Sequence, residues 1–300
     1  MSLPTPTPNQ PYCTISALQA GFMELKLDML LDNAAPGSTL DAPSLSFLIQ
    51  HPSNDNNTKM LVDLGLRKDW ENYTPFDVSI CQNWNVRVPQ DVVESLRNGG
   101  LEPSQIDYIC LTHVHFDHVC NPRLFPESTF LVGANAQRLF QPGYPADPNS
   151  SFASDLLPVD RTVFLDPHAQ GQGWGKVGPF ERTLDFYGDG SLFIVDAPGH
   201  LPGHINVLVR TSSDGDWILL AGDSAHHWNI ITGESHVAHG VAGSPFPGGC
   251  VNADREEAEV HLRCIRRFLE EERTKVIIGH DEPWFRENKD TAFWPGKIEA

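Results

Sequence analysis

Between Leu111 and His118 the chain reads LTHVHFDH, which places three imidazoles and a carboxylate in six consecutive positions directly behind an apolar run. Bunched imidazoles repel one another once protonated, so a chain that concentrates them is expected to supply a cation for their neutral nitrogens. A lone histidine is most often a surface or satisfied core residue. With 13 histidines in 300 residues, three within six positions point instead to metal ligation. His113 and His115 stand two apart in a chain leaving a strand and can face the same side, while Asp117 and His118 come around the next turn toward a neighbouring point. One short loop can therefore serve two metals.

Three further apolar runs end the same way. SLFIVDAPGH, DWILLAGD and TKVIIGHD lead into His200, Asp223 and His280, as IDYICLTH leads into His113. Short buried strands that deliver polar side chains at their C-terminal ends resemble a scaffold aiming several loops at one place. The combined set is rich in histidine, contains carboxylates and needs no thiolate, which suits zinc, iron(II) or manganese(II). The six cysteines are scattered without a C-x-x-C pair and read as reduced thiols, Cys110 and Cys264 at apolar positions.

The elements that must hold these loops are partly legible. SLSFLIQHP and TKMLVDLG, separated by SNDNN, predict a β-hairpin with a long turn. PQDVVESLRNGG predicts a short helix with Val92, Val93 and Leu96 on one side, stopped at Gly99 and Gly100. DREEAEVHLRCIRRFLEEER predicts a longer one, capped by Asp254 with Glu257 and packing through Ala258, Leu262, Ile265 and Leu269. Residues 1–20, with prolines alternating at the start, are expected to form an extended arm before a single domain over 21–300. The Pro-, Gly- and aromatic-rich stretch at about 135–190 is expected to be a long insertion, a candidate cover for the site.

Composition narrows the function. A formal net charge of -18 repels phosphate backbones and anionic membranes, which argues against nucleic acid and membrane partners. The beginning, MSLPTPTPNQPYC, has no basic and apolar leader, and no apolar run is long enough to span a bilayer, so a cytoplasmic location is expected.

Taken in order, THVHFDH, DAPGHLPGH, LAGDSAHH and IGHDEP resemble the successive motifs of the metallo-β-lactamase superfamily, and LVDLG resembles its early strand motif. The resemblance spans most of residues 40–285 and implies an α/β fold, the four-layer αβ/βα sandwich. It assigns His113, His115 and His200 to one metal, Asp117, His118 and His280 to a second, and Asp223 as the bridge. It also implies two divalent ions, zinc foremost, holding a hydroxide that attacks a carbonyl while Asp117 shuttles a proton to the leaving group.

His115 stands where the redox di-iron branch typically has Glu, and Asp223 is the bridge that the antibiotic-degrading branch lacks. The tRNA-processing branch shares the ligand set but suits an acidic chain poorly. APGHLPGHINVLV looks most like the lactonase form, with His200 the ligand and His204 a supporting residue. Lactonases commonly have Tyr three residues after the bridging Asp; here that position is His226. His226, or its neighbour His227, is the candidate donor to the developing oxyanion, with Phe116 and Trp228 as candidate pocket walls.

The expected function is thus a hydrolase opening a small cyclic ester or amide, a lactone or a lactam, in signal or xenobiotic degradation, as a monomer or homodimer. A thioesterase or glyoxalase II-like hydrolase is the alternative enzyme. A structural zinc protein is the non-enzymatic one, and seven ligands for two ions with an open bridge argue against it.

Overall fold

Among the described residues, twelve strands form two six-stranded sheets. In the first, β1 (Thr14–Lys26), β2 (Thr39–His51), β3 (Thr58–Val62), β4 (Tyr108–Cys110), β5 (Thr129–Gly133) and β6 (Thr162–Leu165) lie in chain order, antiparallel up to β3 and parallel from there. In the second, β7 (Trp174–Val177), β8 (Phe180–Asp185), β9 (Leu192–Asp196), β10 (Ile205–Arg210) and β11 (Trp217–Leu220) run antiparallel, and β12 (Thr274–Ile277) closes the edge parallel to β11. The computed structural model describes residues 2–53 and 57–299.

Parallel neighbours need long crossovers, and helices supply them. Of the seven α-helices among the described residues, α1 (Leu27–Leu30) interrupts the first hairpin, while α2 (Pro75–Asn83) and α3 (Val92–Asn98) cross between β3 and β4. The single-turn α4 (Phe116–Val119) follows β4; α5 (Trp228–Thr232) and α6 (Arg255–Leu269) connect β11 to β12, and α7 (Glu282–Asn288) follows β12.

The period-2 alternation of the strands builds three cores at once. Leu192, Ile194, Val207, Val209, Ile218 and Leu220 face inward and meet Cys110 and Leu131 between the sheets. Their neighbours Phe193, Val195, Leu208, Trp217 and Leu219 face outward against Leu262, Ile265 and Phe268 of α6. On the opposite side Leu61, Ile109, Phe130 and Val132 meet Val92, Val93 and Leu96 of α3. The result is helix, sheet, sheet, helix: the expected αβ/βα sandwich.

Three sequence readings need correction, and a fourth is only partly within the described residues. Residues 14–20, expected in the arm, are the first half of β1, because Ile15, Ala17 and Leu18 have a sheet to pack on. Residues 162–165, 174–177 and 180–185 of the expected insertion are strands of the two sheets, so only about 141–161 runs as a long loop, ending in the 3-10 turn Val159–Arg161. The pairing of β2 with β3 is the expected hairpin, but residues 54–56 of its turn fall outside the described residues. In α6 the last core position is Phe268, fully buried, while Leu269 is 37% exposed, since the buried stripe steps by three rather than four at its end. Of the pair read as the cap of α6, Asp254 accepts from the Glu257 amide while its own amide donates to the Gly199 carbonyl; on α3, Asp91 and Glu94 form a reciprocal capping box that the sequence reading did not single out.

Phe268→Ala should cost about 3–5 kcal/mol of stability by transfer loss plus cavity formation. Urea unfolding should show this as a lower midpoint with an unchanged slope.

Candidate metal centre

Each of the four ligand-bearing segments leaves the C-terminal end of a strand. His113 and His115 follow β4, and Asp117 and His118 sit in α4. His200 follows β9, Asp223 lies in the 3-10 turn Gly222–Ser224 after β11, and His280 follows β12. One donor atom each from His113, His115, His200 and Asp223 falls within a 4.8 Å sphere of mutual distance, and one each from Asp117, His118, Asp223 and His280 does the same. Asp223 belongs to both groups, as a bridge would.

The hydrogen bonds behind the cluster decide which nitrogens face it. His118 Nδ1 lies 2.8 Å from Asp63 Oδ2, His280 Nδ1 lies 2.9 Å from the Pro43 carbonyl, and His200 Nδ1 lies 3.2 Å from Asn252 Oδ1. Those acceptors fix the outward nitrogens as N–H, so the inward Nε2 atoms carry lone pairs. At the centre His115 Nδ1 stands 3.0 Å from both His113 Nε2 and His200 Nε2. His118 Nε2 and Asp223 Oδ1 are buried without any hydrogen-bond partner. Lone pairs converging on one point, with two orphaned polar atoms among them, are the donor set of a divalent cation.

The electrostatics agree. Burial, reinforced by the neighbouring imidazoles, holds His113 and His200 well below the usual histidine range, and burial pushes His115 down to about 4. All three therefore present neutral, ligating nitrogens. For His118 and His280 burial acts in the same sense, but Asp223 with Asp63 and Asp117 outweighs it, raising His118 well above its ordinary value and His280 to about 10. Burial would likewise raise Asp117 and Asp223, yet the facing imidazoles hold both carboxyls low. The cluster asks for positive charge, which a divalent ion supplies in place of protons.

Two glycines allow this density. A Cβ on Gly279 would stand 2.7 Å from Asp223 Oδ1 and 3.0 Å from His118 Cε1. Gly222, at φ +47°, passes so close to Thr112 and His204 that a Cβ would meet them at 2.7 and 3.0 Å.

His204 does not join either donor group; its Nδ1 lies 2.9 Å from the Ala197 carbonyl and its Nε2 accepts from the Asp223 amide, the supporting role read from sequence. His226 does reach the cluster, with Nε2 3.1 Å from Asp223 Oδ2. His227 turns away, its Nδ1 accepting from the Asn229 amide as the N-cap of α5. Trp228 is tied by Nε1 to Asp281 Oδ1 at 2.9 Å.

Sequence reading did not single out Asp63, Thr112, Asn252 or Asp77. Asp63 was visible only as part of LVDLG; its carboxylate takes both the Thr112 amide and hydroxyl at 2.7 Å besides His118. Asp77 was announced by TPFD: Thr74 caps α2, Pro75 opens it and Asp77 takes the N3 position. A cavity of about 540 Å³ adjoins the ligand loop, lined in part by Tyr73, Asp77, Val114, Phe116 and Ser151. Val114 and Phe116 alternate with the ligands, and the Phe152 ring, next to Ser151, stacks 6.1 Å from that of His115. Thus Phe116 is a pocket wall, and the 141–161 loop covers this side.

Residues 40–280 match the model of the metallo-beta-lactamase superfamily, and the chain belongs to that family. It is 36% identical over 195 residues, 63% of this chain, to the gamma-lactamase FDB1 of Fusarium pseudograminearum, of whose length it spans 46%. It is 28% identical over 274 residues to the N-acyl homoserine lactonase AttM of Azorhizobium caulinodans, covering 88% of this chain and 91% of that one. Several curated relatives are at least twice as long as the part this chain matches. In fold, it superposes with a TM-score of 0.69 and 17% identity on an N-acyl homoserine lactone hydrolase holding N-hexanoyl-L-homoserine at its catalytic metal centre, over 99% of this chain and 100% of the other. Among the described residues no helix is long and apolar enough to cross a membrane.

Gly279→Ala should weaken metal binding by about tenfold or more, as loss of supporting geometry does elsewhere, with the far-UV circular dichroism retained. Elemental analysis after dialysis against a chelator checks it. Asp77 gives a second test. Burial pushes its carboxyl up to about 7, so the folded state binds more protons than the unfolded chain between about pH 4 and 7, and stability falls as pH rises through that window. Asp77→Asn should therefore melt higher than the parent at pH 8, with the gap closing toward pH 4.

Proposed function

We propose that this protein is a dinuclear metal-dependent hydrolase that opens small cyclic esters or amides. The observation that carries the reading is the pair of donor groups sharing Asp223 beside a cavity, rather than one closed four-coordinate site. His113, His115 and His200 would hold one ion and Asp117, His118 and His280 the other, Asp223 belonging to both donor groups; zinc fits this set of imidazoles and carboxylates. The ions, when bound, acidify water to a nucleophile near neutral pH and polarise the carbonyl under attack.

The chain's own groups complete the reaction. Asp117 is buried against the cluster, with Oδ2 3.2 Å from His280 Nε2, where it receives a proton on one side of the reacting carbon and delivers it to the departing oxygen or nitrogen. His226 reaches Asp223 without belonging to either donor group, and we assign it to the oxygen that gains charge in the tetrahedral intermediate. The relatives support both ester and amide rings, being named lactonase and gamma-lactamase. An amide nitrogen leaves only when protonated, so lactam opening leans harder on Asp117.

The test is hydrolysis of a panel of five-membered lactones and lactams by metal-replete protein, followed by proton release and by product chromatography. Ring opening should vanish together with bound metal in His113→Ala and in Asp223→Ala; undiminished turnover by a metal-free variant would refute the proposal. His226→Phe should keep its metal and lose about 10²–10³ in kcat, the usual loss of one oxyanion donor.

A further inference from the structure

Asp77 is a carboxyl without a cation. It is 4% exposed, lies in the lining of the cavity beside the ligand loop, and accepts hydrogen bonds from the hydroxyls of Thr74, at 3.1 Å, and Ser151. Among the described residues no lysine, arginine or histidine forms an ion pair with it. The two arginines of the cavity are already engaged: Arg67 holds Asp69 through two bonds of 2.8 Å, and Arg123 holds Asp155 at 2.5 Å. The lining therefore carries two guanidinium groups against three carboxyls, and the excess one is Asp77.

A buried carboxyl left without a cation costs stability. What the position provides is a hydrogen-bond acceptor and a negative charge facing a space large enough for a ligand group. The net charge of -18 adds a field that concentrates cations near the surface. An alkyl chain would leave the Asp77 carboxyl without a counter-charge, so the cavity suits it poorly.

We propose that Asp77 is a specificity-determining residue that binds a basic amine on the substrate, so that the ring opened at the metal centre bears a side arm ending in an ammonium group. This deepens the reading of the site as a ring-opening hydrolase and rests on it. Phe116 and Tyr73, whose rings meet edge-on at 5.7 Å, form the apolar stretch of wall along which the arm runs.

The experiment compares two five-membered lactones with linear amide side arms of equal length, one ending in an amine and one in a methyl group. The metal-replete wild type should prefer the amine by about ten- to a hundredfold in kcat/KM, the range expected for hydrogen bonds to a charged group. In Asp77→Asn the preference should fall to within about twofold, the usual scatter of such effects. Ser151→Lys, a change in a loop that does not test the fold of α2, should abolish the preference by placing an internal ammonium on Asp77. Calorimetric titration with the corresponding cyclopentanones, which hydrolysis cannot open, reads the subsite without turnover. Equal affinity for both arms in the wild type, or a preference untouched by both variants, overturns the proposal. Amine-selective, Asp77-dependent binding without any ring opening would instead keep the subsite and reject the proposed reaction.

Discussion

Two buried carboxylates in one small space are the constraint to which the rest of this molecule answers. Asp117 and Asp223 stand within reach of the same imidazoles, and neither is tolerable there unless positive charge stands beside it. The outer groups follow from that need: Asp63, Pro43 and Asn252 take the far sides of His118, His280 and His200 so that their lone pairs point inward. Gly222 and Gly279 then make room, and Thr112 fixes Asp63 with two bonds. The cluster is in this sense a solution to a charge-burial problem, and the proposed chemistry at a carbonyl is what that solution would make available.

The ring-opening reading also explains the division of labour among nearly identical side chains. Burial holds the donor imidazoles of His113, His115 and His200 neutral, the facing imidazoles hold the buried Asp117 carboxyl low, and His226 stands outside both donor groups. Such separation of roles arises from environment alone, since the residue types are the same. The nature of the ring is set elsewhere, by the walls around Phe116 and the 141–161 loop.

The donors of both metal groups were legible in the sequence because each ends an apolar run, and strand ends are where chain direction and side-chain aim are both fixed. His113 through His118 even give their grouping, since a two-residue spacing and a turn translate directly into geometry. What stayed hidden depends on long-range packing. Nothing local distinguishes Asn252 as the partner of His200, 52 positions away, or shows that His226 rather than His227 turns inward. The strands over 162–185 were missed for a related reason: β7 lies at a sheet edge with exposed Gly175 and Lys176, so its alternation is weak and its neighbouring glycines read as loop. The register of α6 slipped at Leu269 because adjacent Phe268 and Leu269 are both apolar, and only the sheet decides between them.

The ligands do not come from one sheet. His113, His115, Asp117 and His118 hang from β4 of the first, and His200, Asp223 and His280 hang from β9, β11 and β12 of the second. Each donor group draws on both halves, so an ion held there is a clasp across the seam of the sandwich. It recognises only chains whose two halves have already closed in register, and its binding free energy is added to that closed state alone. The centre thereby inspects assembly as well as performing chemistry: a chain with its halves misaligned has nowhere to hold the metal.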